Sequence, residues 1–259
     1  MDDAAGGARF SVVVPAYHEE ARIAATVARL RAALEPIARD GGVEIVVVDD
    51  GSMDGTAEAA RHAGADNVIV LPQNTGKGAA VRAGVAAATG RTIAFTDADL
   101  SYPPNQLLRL LDGVEAGTPV VVGSRLHPEA ATVVHTSALR QLTGKVFNAL
   151  TAMLVLGGRR RDTQCGLKAF RSDAARLLFS HGRIDGFAFD VELFHLVERY
   201  RLSLLEVPVS LANSRTSTVR IGIDALRMVR DLFRVRRWAG RGVYELSDDQ
   251  RKVLAAPTS

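Results

Sequence analysis

The chain has 259 residues, of which 47% are hydrophobic and 24% are charged. This composition is typical of a globular protein and excludes both a disordered chain and an integral membrane protein. The single cysteine, Cys165, excludes a disulfide framework and a multi-cysteine zinc site. The net charge of +3 is unevenly divided, since residues 1–120 carry −6 and residues 121–259 carry +9. The basic half favours an anionic partner, although solvated helix faces give the same pattern.

Short β-branched runs alternate with helical stretches in the first 125 residues. The predicted strands are residues 10–14, 43–48, 68–71, 92–96 and 119–122. The segments between them predict helices, with apolar residues at helical spacing after the first strand and alanine-rich or leucine-rich stretches at 54–63, 77–88 and 103–116. This alternation predicts an α/β fold with a parallel sheet and right-handed crossovers.

Longer helices follow residue 125. The pattern predicts helices over roughly 136–156 and 190–201, with strands at 167–171 and 204–211. No linker rich in proline or serine separates the two halves. We therefore predict one domain over residues 9–241, with loose tails at 1–8 and 242–259.

Polar clusters follow all five strands predicted in the first half. They occupy residues 15–19, 49–52, 74–78, 97–99 and 123–125. The carboxyl ends of parallel strands meet at one edge of a sheet, and the ligands of such sheets bind beyond that edge. The clusters therefore predict a functional site there.

Two carboxylates, Asp97 and Asp99, stand at the end of the fourth predicted strand. A turn at this point can bring one or both onto a divalent cation, and hard oxygen ligands suit Mg²⁺ or Mn²⁺. Loop aspartates without a ligand give the same short motif. Asp49 directly follows an apolar strand and is a candidate for bonds to a base or a ribose. We interpret Asp54 as a helix cap.

Residues 74–78, Asn-Thr-Gly-Lys-Gly, are compatible with two interpretations. Backbone amides and the Lys77 ammonium could bind a phosphate, or the segment is a solvated turn. The spacing matches neither a P-loop nor a dinucleotide-binding fingerprint. The chain also contains no His-Glu-x-x-His and no Gly-x-Ser-x-Gly motif, which excludes those hydrolase templates.

Arginines recur at helical spacing near the end of the chain, at positions 227, 230, 234, 237 and 241, with Trp238 among them. A basic amphipathic helix with a tryptophan fits either an anionic membrane surface or a terminal helix packed on its own domain. We expect no nucleic-acid partner, because no aromatic stacking platform accompanies the basic residues. The sequence also has no apolar run long enough to span a bilayer and no signal-peptide pattern, which predicts a cytoplasmic protein.

Taken in order, the clusters resemble the inverting family 2 glycosyltransferases with the GT-A fold, over about residues 10–240. The motifs that carry the resemblance are Val-Pro-Ala-Tyr-His-Glu-Glu, Val-Asp-Asp-Gly-Ser-Met-Asp-Gly-Thr, Asn-Thr-Gly-Lys-Gly and Asp-Ala-Asp. Within the family, segments 97–104, 123–125, 162–168 and 187–193 are similar to those of the dolichyl-phosphate or polyprenyl-phosphate hexose synthases. Asp-Thr-Gln-Cys-Gly at 162–166 favours the glucosyl branch, which uses UDP-sugars, over the mannosyl branch.

The resemblance implies a Rossmann-like, mostly parallel sheet flanked by helices. Residues 9–125 would form the nucleotide-sugar-binding part, and residues 126–241 a helical, basic part that faces the acceptor and the membrane. The implied ligands of the base and ribose are Pro15, Tyr17, Glu19 and Asp49. Lys77 is implied near the diphosphate, Asp97 between ribose, metal and diphosphate, and Asp99 as the better direct metal ligand. Arg125 and Arg140 match positions that hold the acceptor phosphate, and Gln164 lies where the donor sugar is approached.

The expected function is inverting transfer of a hexose from a UDP-sugar to polyprenyl phosphate, by a peripheral enzyme at the inner face of the membrane. A phosphate monoester has a second pKa near 6, so its oxygen is nucleophilic at neutral pH without a general base. Two alternatives stay open: a hydroxyl acceptor with Asp190 as base, and an inactive nucleotide-sugar-binding module. One departure from the family is His18, which replaces an asparagine and is expected to alter a turn.

Overall fold

In the computed structural model, seven strands form one sheet in the order β3-β2-β1-β4-β6-β5-β7. The structure describes residues 7–130, 149, 151–156, 162–211, 223–247 and 250. The strands are β1 (Phe10–Ala16), β2 (Val43–Asp49), β3 (Asn67–Val70), β4 (Thr92–Phe95), β5 (Val120–Ser124), β6 (Lys168–Arg171) and β7 (Leu204–Pro208). All seven predicted strands are present, and the sheet is mostly parallel, as predicted.

Seven helices connect or flank the strands in the part of the chain that the structure describes. They are α1 (Glu20–Ala38), α2 (Thr56–His62), α3 (Lys77–Ala87), α4 (Gln106–Glu115), α5 (Ser172–His181), α6 (Phe189–Arg199) and α7 (Ile223–Gly240). Of the helix predicted at 136–156, only residues 149 and 151–156 are described. The remainder of that prediction lies outside the described residues.

The sheet has an apolar core on each face. Side chains of β1 alternate between them, since Val12 and Val14 belong to the core that includes α1, α2 and α4, while Val13 belongs to the core that includes α3, α5, α6 and α7. The central strands are almost continuously apolar, which is the expected pattern for parallel strands that helices cover on both faces. The two helical layers leave the carboxyl-end edge of the sheet to the connecting loops.

Strand β6 runs antiparallel to both of its neighbours, β4 and β5. The sequence predicts the strand but not its direction, because an apolar run looks the same either way. In this position Lys168 is the register partner of both Phe95 and Val122. The loop before β6 therefore arrives at the same edge as the carboxyl ends of β4 and β5.

The packed structure continues past the boundary expected at residue 241. Tyr244 is fully buried in the core that includes α6 and α7, and the amide of Val243 donates to the carbonyl oxygen of Trp238. Val243 and Tyr244 thus pack against the domain, beyond the expected boundary. Among the described residues, no helix combines the length and apolarity needed to cross a bilayer.

Candidate active site

Five polar clusters meet at the carboxyl-end edge of the sheet, as predicted. Strands β1, β2, β3 and β4 are parallel, and β5 regains their direction after the antiparallel β6. The loops after these strands therefore lie along one side of the molecule. The edge carries carboxylates from the acidic half of the sequence and reaches the first cation of the basic half, Arg125.

The first residue of α3, Lys77, forms an ion pair with Asp97. Its Nζ lies 2.5 Å from Oδ1 of Asp97, and the two side chains are 19% and 31% exposed. Burial acts to lower the pKa of the ammonium, but the carboxylates of Asp97 and Asp190 outweigh it and raise the pKa. Lys77 is therefore a permanent cation beside one of the two aspartates predicted to bind metal.

Asp99 is held in the turn that follows β4. Its carboxylate accepts hydrogen bonds from the amide and the hydroxyl of Ser101, at 2.9 and 2.7 Å. Between the two aspartates and Ser101, Leu100 adopts a left-handed conformation with φ of 45°. The turn fixes the direction of the Asp99 side chain.

Further carboxylates surround this turn. The pKa of Glu19 is raised, first by burial and then by the negative charges of Asp99, Asp54 and Asp97, while Arg22 acts against the shift. Such a concentration of negative charge favours a cation. No cluster of three or more His, Cys, Asp or Glu side chains with metal-binding geometry occurs among the described residues. Asp97 and Asp99 nevertheless fit Mg²⁺ or Mn²⁺, since Mg²⁺ usually takes one or two carboxylates and completes its shell with water and substrate phosphates.

Four backbone amides around Lys77, those of Thr75, Gly76, Gly78 and Ala79, already have hydrogen-bond partners within the protein. The amides of Thr75 and Gly76 donate to the Asp50 carboxylate, both at 2.8 Å. Those of Gly78 and Ala79 donate to the carbonyl oxygen of Asp185, at 2.7 and 3.2 Å. The segment can therefore offer the Lys77 side chain to an anion, but these four amides already have partners.

The loops after β1 and β2 are joined by side-chain hydrogen bonds. Asp49, the last residue of β2, accepts from the amide of Ser52 at 2.9 Å, and the Ser52 hydroxyl accepts from the amide of His18. Asp54 accepts from the amide and hydroxyl of Thr56 in the first turn of α2. Asp54 lies one residue before the N-cap position, Gly55, and satisfies an amide of the first turn of α2, which is the contact that the capping interpretation expects.

The residues after β1 form a turn with an exposed aromatic ring. His18 has a left-handed φ of 54°, a conformation that asparagine tolerates better than most residues. His18 therefore lies in a turn, and the effect of the replacement on that turn stays a prediction. Tyr17 is exposed and its ring packs edge-on against that of His18, while Pro15 lies within β1 and is half-buried.

Arg125 forms a bidentate ion pair with Asp162, a partner that the sequence analysis did not assign. Nε and Nη2 of Arg125 donate to the two carboxylate oxygens at 2.8 and 2.6 Å, and its backbone amide also donates at 2.8 Å. Asp162 is buried, whereas the Arg125 side chain is partly exposed. Burial acts to raise the pKa of Asp162, but the guanidinium lowers it overall, so the carboxylate stays ionised.

A second unassigned pair, Lys168 with Asp190, lies beneath the site. Nζ of Lys168 is 2.7 Å from Oδ1 of Asp190 and also donates to the carbonyl oxygens of Thr163 and Cys165, at 3.0 and 2.6 Å. Both side chains are buried, at 0% and 5% exposed. Burial raises the pKa of Asp190, although Lys168 and Lys77 act against the shift. This pair anchors the segment 162–168.

That segment lies directly against the aspartates. A Cβ atom at Gly166 would overlap an Asp97 carboxylate oxygen, so a larger residue there would have to displace this side chain. Among the described residues, the side-chain nitrogen of Gln164 is buried and has no hydrogen-bond partner. Arg140 lies outside the described residues, so its predicted role stays a prediction.

Helix α7 packs on the domain and also presents a basic face. Leu232 and Val235 are fully buried, whereas Arg230 and Arg234 are exposed and both reach the buried Asp231. The exposed face also contains two large apolar side chains, Leu226 at 74% and Phe233 at 56% exposed. The structure is therefore compatible with both interpretations of this helix, because one face packs on the domain and the other, exposed face can contact a membrane surface.

Comparison with known proteins agrees with this architecture. The chain is 34% identical over 261 residues to dolichyl-phosphate beta-glucosyltransferase of Drosophila melanogaster, covering 93% of this chain and 78% of that protein. It is 30% identical over 243 residues to polyprenol monophosphomannose synthase of Mycolicibacterium smegmatis, covering 90% and 88%. Glucosyl-3-phosphoglycerate synthase from Mycobacterium tuberculosis, solved with Mn²⁺, UDP-glucose and phosphoglyceric acid, shares the fold with a TM-score of 0.69 and 23% identity, covering 89% of this chain and 80% of that chain. The family model described as Glycosyl transferase family 2 matches residues 11–179, and the chain belongs to this family of glycosyltransferases.

Proposed function

We propose that this protein transfers a hexose, with inversion, from a UDP-sugar to a polyprenyl phosphate. The ion pair between Lys77 and Asp97 is the observation that carries the proposal. It combines an ammonium and a carboxylate, both partly exposed, at the sheet edge where ligands of such folds bind. A nucleoside diphosphate leaving group needs positive charge at this place.

Two carboxylates of the edge, Asp97 and Asp99, are the proposed ligands of Mg²⁺ or Mn²⁺. When bound, the ion supplies charge that stabilises the diphosphate as the bond to the sugar breaks. Lys77 adds a second positive charge from the protein itself. The Mn²⁺ and UDP-glucose bound by the structurally similar synthase support this arrangement.

For the nucleoside, we propose the residues after β1 and β2. Tyr17 and Pro15 would contact the base, and Glu19 and Asp49 the ribose. The exposed ring of Tyr17 supports the first assignment, since an aromatic face suits a planar base. The hydrogen bonds that join these two loops support a fixed geometry for the group.

For the acceptor phosphate, we propose Arg125, together with Arg140. Asp162 occupies Nε and one Nη of Arg125 and leaves other N–H groups of the same guanidinium for a phosphate oxygen. The names of the relatives, which act with dolichyl phosphate or a polyprenol, support a lipid phosphate as the acceptor. A phosphate oxygen that is already ionised attacks the anomeric carbon from the face opposite the leaving group, so position is the main requirement.

The alternative with a hydroxyl acceptor requires a general base, for which Asp190 was the candidate. Asp190 is buried and its carboxylate is paired with the Lys168 ammonium. A general base must be within reach of the proton that it takes from the substrate, whereas this carboxylate is already bound by a structural partner. This weighs against the alternative. Replacing Asp190 by asparagine tests this alternative. If Asp190 were the general base, the variant would lose nearly all turnover while it still bound the donor.

The decisive experiment is incubation of the protein with a panel of nucleotide sugars and polyprenyl phosphate, followed by identification of the glycolipid by mass. We expect a hexosyl-phosphate lipid from a UDP-sugar with Mg²⁺ or Mn²⁺, no product after chelation, and recovery on adding metal. Product from a GDP-sugar alone would contradict the UDP assignment. Any transfer to lipid phosphate excludes an inactive nucleotide-sugar-binding module.

We further propose that the enzyme is peripheral, on the anionic inner face of the cytoplasmic membrane. Leu226 and Phe233 stand seven residues apart, two helical turns, among the exposed arginines of α7, a pattern that suits insertion at a lipid interface. Replacing Arg230, Arg234 and Arg237 by glutamine should reduce binding to phosphatidylglycerol vesicles. The matched control neutralises three exposed arginines of the acidic half, at positions 29, 39 and 61. Equal loss in both triple variants, or no loss, would contradict a specific membrane face.

A further inference from the structure

A buried carboxylate that the proposed reaction does not use, Glu192, lies on α6. Its side chain is almost fully buried, and its Oε2 accepts the amides of Arg183 and Ile184 at 2.9 and 2.8 Å. Its Oε1 accepts the hydroxyl of Tyr244 at 2.5 Å. A buried carboxylate with three donors is costly to disturb, so this network fixes the relative position of the three segments that it joins.

Tyr244 brings the segment that follows α7 into this network. Its ring is fully buried and contacts those of His195 and Trp238, with centroids 5.7 and 6.4 Å apart. Trp238 belongs to the last turn of α7. The contact between Tyr244 and Glu192 is therefore set by how the end of α7 packs on the domain.

The loop formed by Arg183, Ile184 and Asp185 carries the connection onward to α3. The Asp185 carbonyl oxygen accepts the amides of Gly78 and Ala79, at 2.7 and 3.2 Å. The guanidinium of Arg82 donates to the Asp185 carboxylate and to the Ile184 carbonyl oxygen, both at 2.9 Å. This loop therefore holds the first two turns of α3 by four hydrogen bonds, two from the amides of Gly78 and Ala79 and two from Arg82.

No space separates this loop from the backbone around Lys77. A Cβ atom at Gly76 would lie 2.5 Å from the Asp185 carbonyl oxygen, and one at Gly78 would lie 2.5 Å from that of Ile184. Both glycines flank Lys77 directly. A shift of the loop toward α3 would therefore displace the residue that pairs with Asp97.

We infer that Tyr244 and Glu192 are positioning residues for Lys77, acting through the 183–185 loop. The inference rests on the proposed function at one point, namely that Lys77 binds the diphosphate of the donor. A small displacement of a charged group costs much of its effect on a reaction, so loss of one hydrogen bond in this chain of contacts should reach turnover. It also makes the end of α7, the helix with the exposed basic face, part of the support of the donor site.

The structural test is amide hydrogen exchange in the Tyr244→Phe variant, which keeps the ring and removes the hydroxyl. The amides of Gly78 and Ala79 should exchange about tenfold faster, whereas those of Thr75 and Gly76, which are bonded to Asp50, should not change. This readout needs no substrate, so it does not depend on the proposed function. Unchanged exchange at Gly78 and Ala79 overturns the inference.

A matched control for the packing of the ring is Tyr200→Phe. Tyr200 packs against the same core, and among the described residues its hydroxyl has no hydrogen-bond partner. The Tyr200→Phe variant should match the wild type both in amide exchange at Gly78 and Ala79 and in turnover. If both tyrosine variants accelerate exchange at these amides equally, the effect is general destabilisation and the inference fails.

The kinetic test asks whether Tyr244 acts through Lys77. Tyr244→Phe should lower kcat about tenfold with little change in the acceptor KM. Glu192→Gln should also lower kcat. In a Lys77→Met background, the further loss from Tyr244→Phe should shrink to less than about twofold. An equal loss in both backgrounds overturns the inference, even if the exchange result holds and the donor and acceptor are those proposed.

Discussion

Two lysine–aspartate pairs of this protein have almost the same length but opposite surroundings. Lys77 and Asp97 are 2.5 Å apart at the sheet edge, with side chains 19% and 31% exposed. Lys168 and Asp190 are 2.7 Å apart beneath that edge and are buried. The open pair has room for a ligand to compete for either partner. The buried pair is saturated by protein, since the Lys168 ammonium also bonds two carbonyl oxygens.

This difference separates the parts of the site that react from the parts that support them. A partly exposed pair contributes little to stability. Its ammonium can leave the carboxylate to bind a phosphate, and its carboxylate can then bind a metal. A buried pair contributes little net stability either, but removing one partner leaves an uncompensated charge. We therefore expect substitutions in the open pair to reduce turnover and substitutions in the buried pair to reduce stability.

The largest expected effect is on turnover, in Asp97→Asn. This change removes the charge beside Lys77 and one proposed metal ligand, so we expect a loss of about 10³-fold in kcat. The temperature of unfolding should change little because the pair is partly exposed. Steady-state kinetics and a thermal melt measure the two effects.

Asp54→Asn is the matched control for that variant. Asp54 also contributes to the negative charge around Glu19, but its hydrogen bonds come from Thr56 and the amide of Glu20, and its Oδ2 lies 3.7 Å from Nδ1 of His18. Asparagine caps a helix about as well as aspartate, so stability and turnover should both stay close to the wild type. If both variants lose activity equally, general loss of negative charge explains the result and Asp97 has no special role.

The second effect is on stability, in Lys168→Met. It leaves Asp190 buried without its partner, and we expect a loss of about 3–5 kcal/mol in the free energy of unfolding. The same substitution at the open pair, Lys77→Met, should cost only about 1 kcal/mol. Urea denaturation compares the two directly. Equal costs would remove the distinction between the pairs.

The third effect concerns the acceptor and a pair of intermediate exposure, Arg125 with Asp162. Arg125→Lys keeps the charge but loses the planar fork, so the KM for polyprenyl phosphate should rise about 10-fold to 100-fold. The KM for the nucleotide sugar should not change. An effect on the donor alone would show that Arg125 serves the other substrate.

The sequence predicted the fold and the sheet edge because both depend on local patterns. Alternation of strands and helices indicates a parallel sheet, and residues that directly follow its strands, such as Asp97 and Lys77, must lie at its carboxyl-end edge. The Asp54 cap and the turn at His18 are also local, since each depends on neighbours within a few residues.

Contacts between distant segments could not be predicted in the same way. Asp162 lies 37 residues from Arg125, Asp190 lies 22 residues from Lys168, and Tyr244 lies 52 residues from Glu192. A charged residue inside an apolar segment, such as Lys168 before Ala-Phe, signals a buried partner but does not identify it. The antiparallel direction of β6, which places Lys168 and the loop before it at the carboxyl ends of β4 and β5, has no local signal.

The smallest expected effect is a pH dependence of stability that arises from Glu192. Burial raises the pKa of Glu192 above its ordinary value near 4.5, although the hydrogen bonds from Tyr244, Ile184 and Arg183 act against the shift. The folded state therefore holds this proton more tightly than the unfolded state. As the pH rises above about 4.5, the wild type should lose stability through this deprotonation, a loss that the Glu192→Gln variant cannot show. Urea denaturation of both proteins between pH 4 and 7 measures the difference.

Glu115 provides a control of opposite sign. The hydrogen bond from Arg9 lowers the pKa of Glu115, so this carboxylate stabilises the fold above pH 4.5, and the contribution is lost as the pH falls through its lowered value. Relative to the wild type, the Glu115→Gln variant should gain stability below pH 4.5, and the Glu192→Gln variant should gain stability above pH 4.5. Because Arg9 and Glu115 lie at the surface and Glu192 lies in the core, the two variants separate a surface ion pair from a buried carboxylate by the direction of the pH effect. Parallel pH profiles for the two variants would mean that Glu192 is not destabilised by its burial.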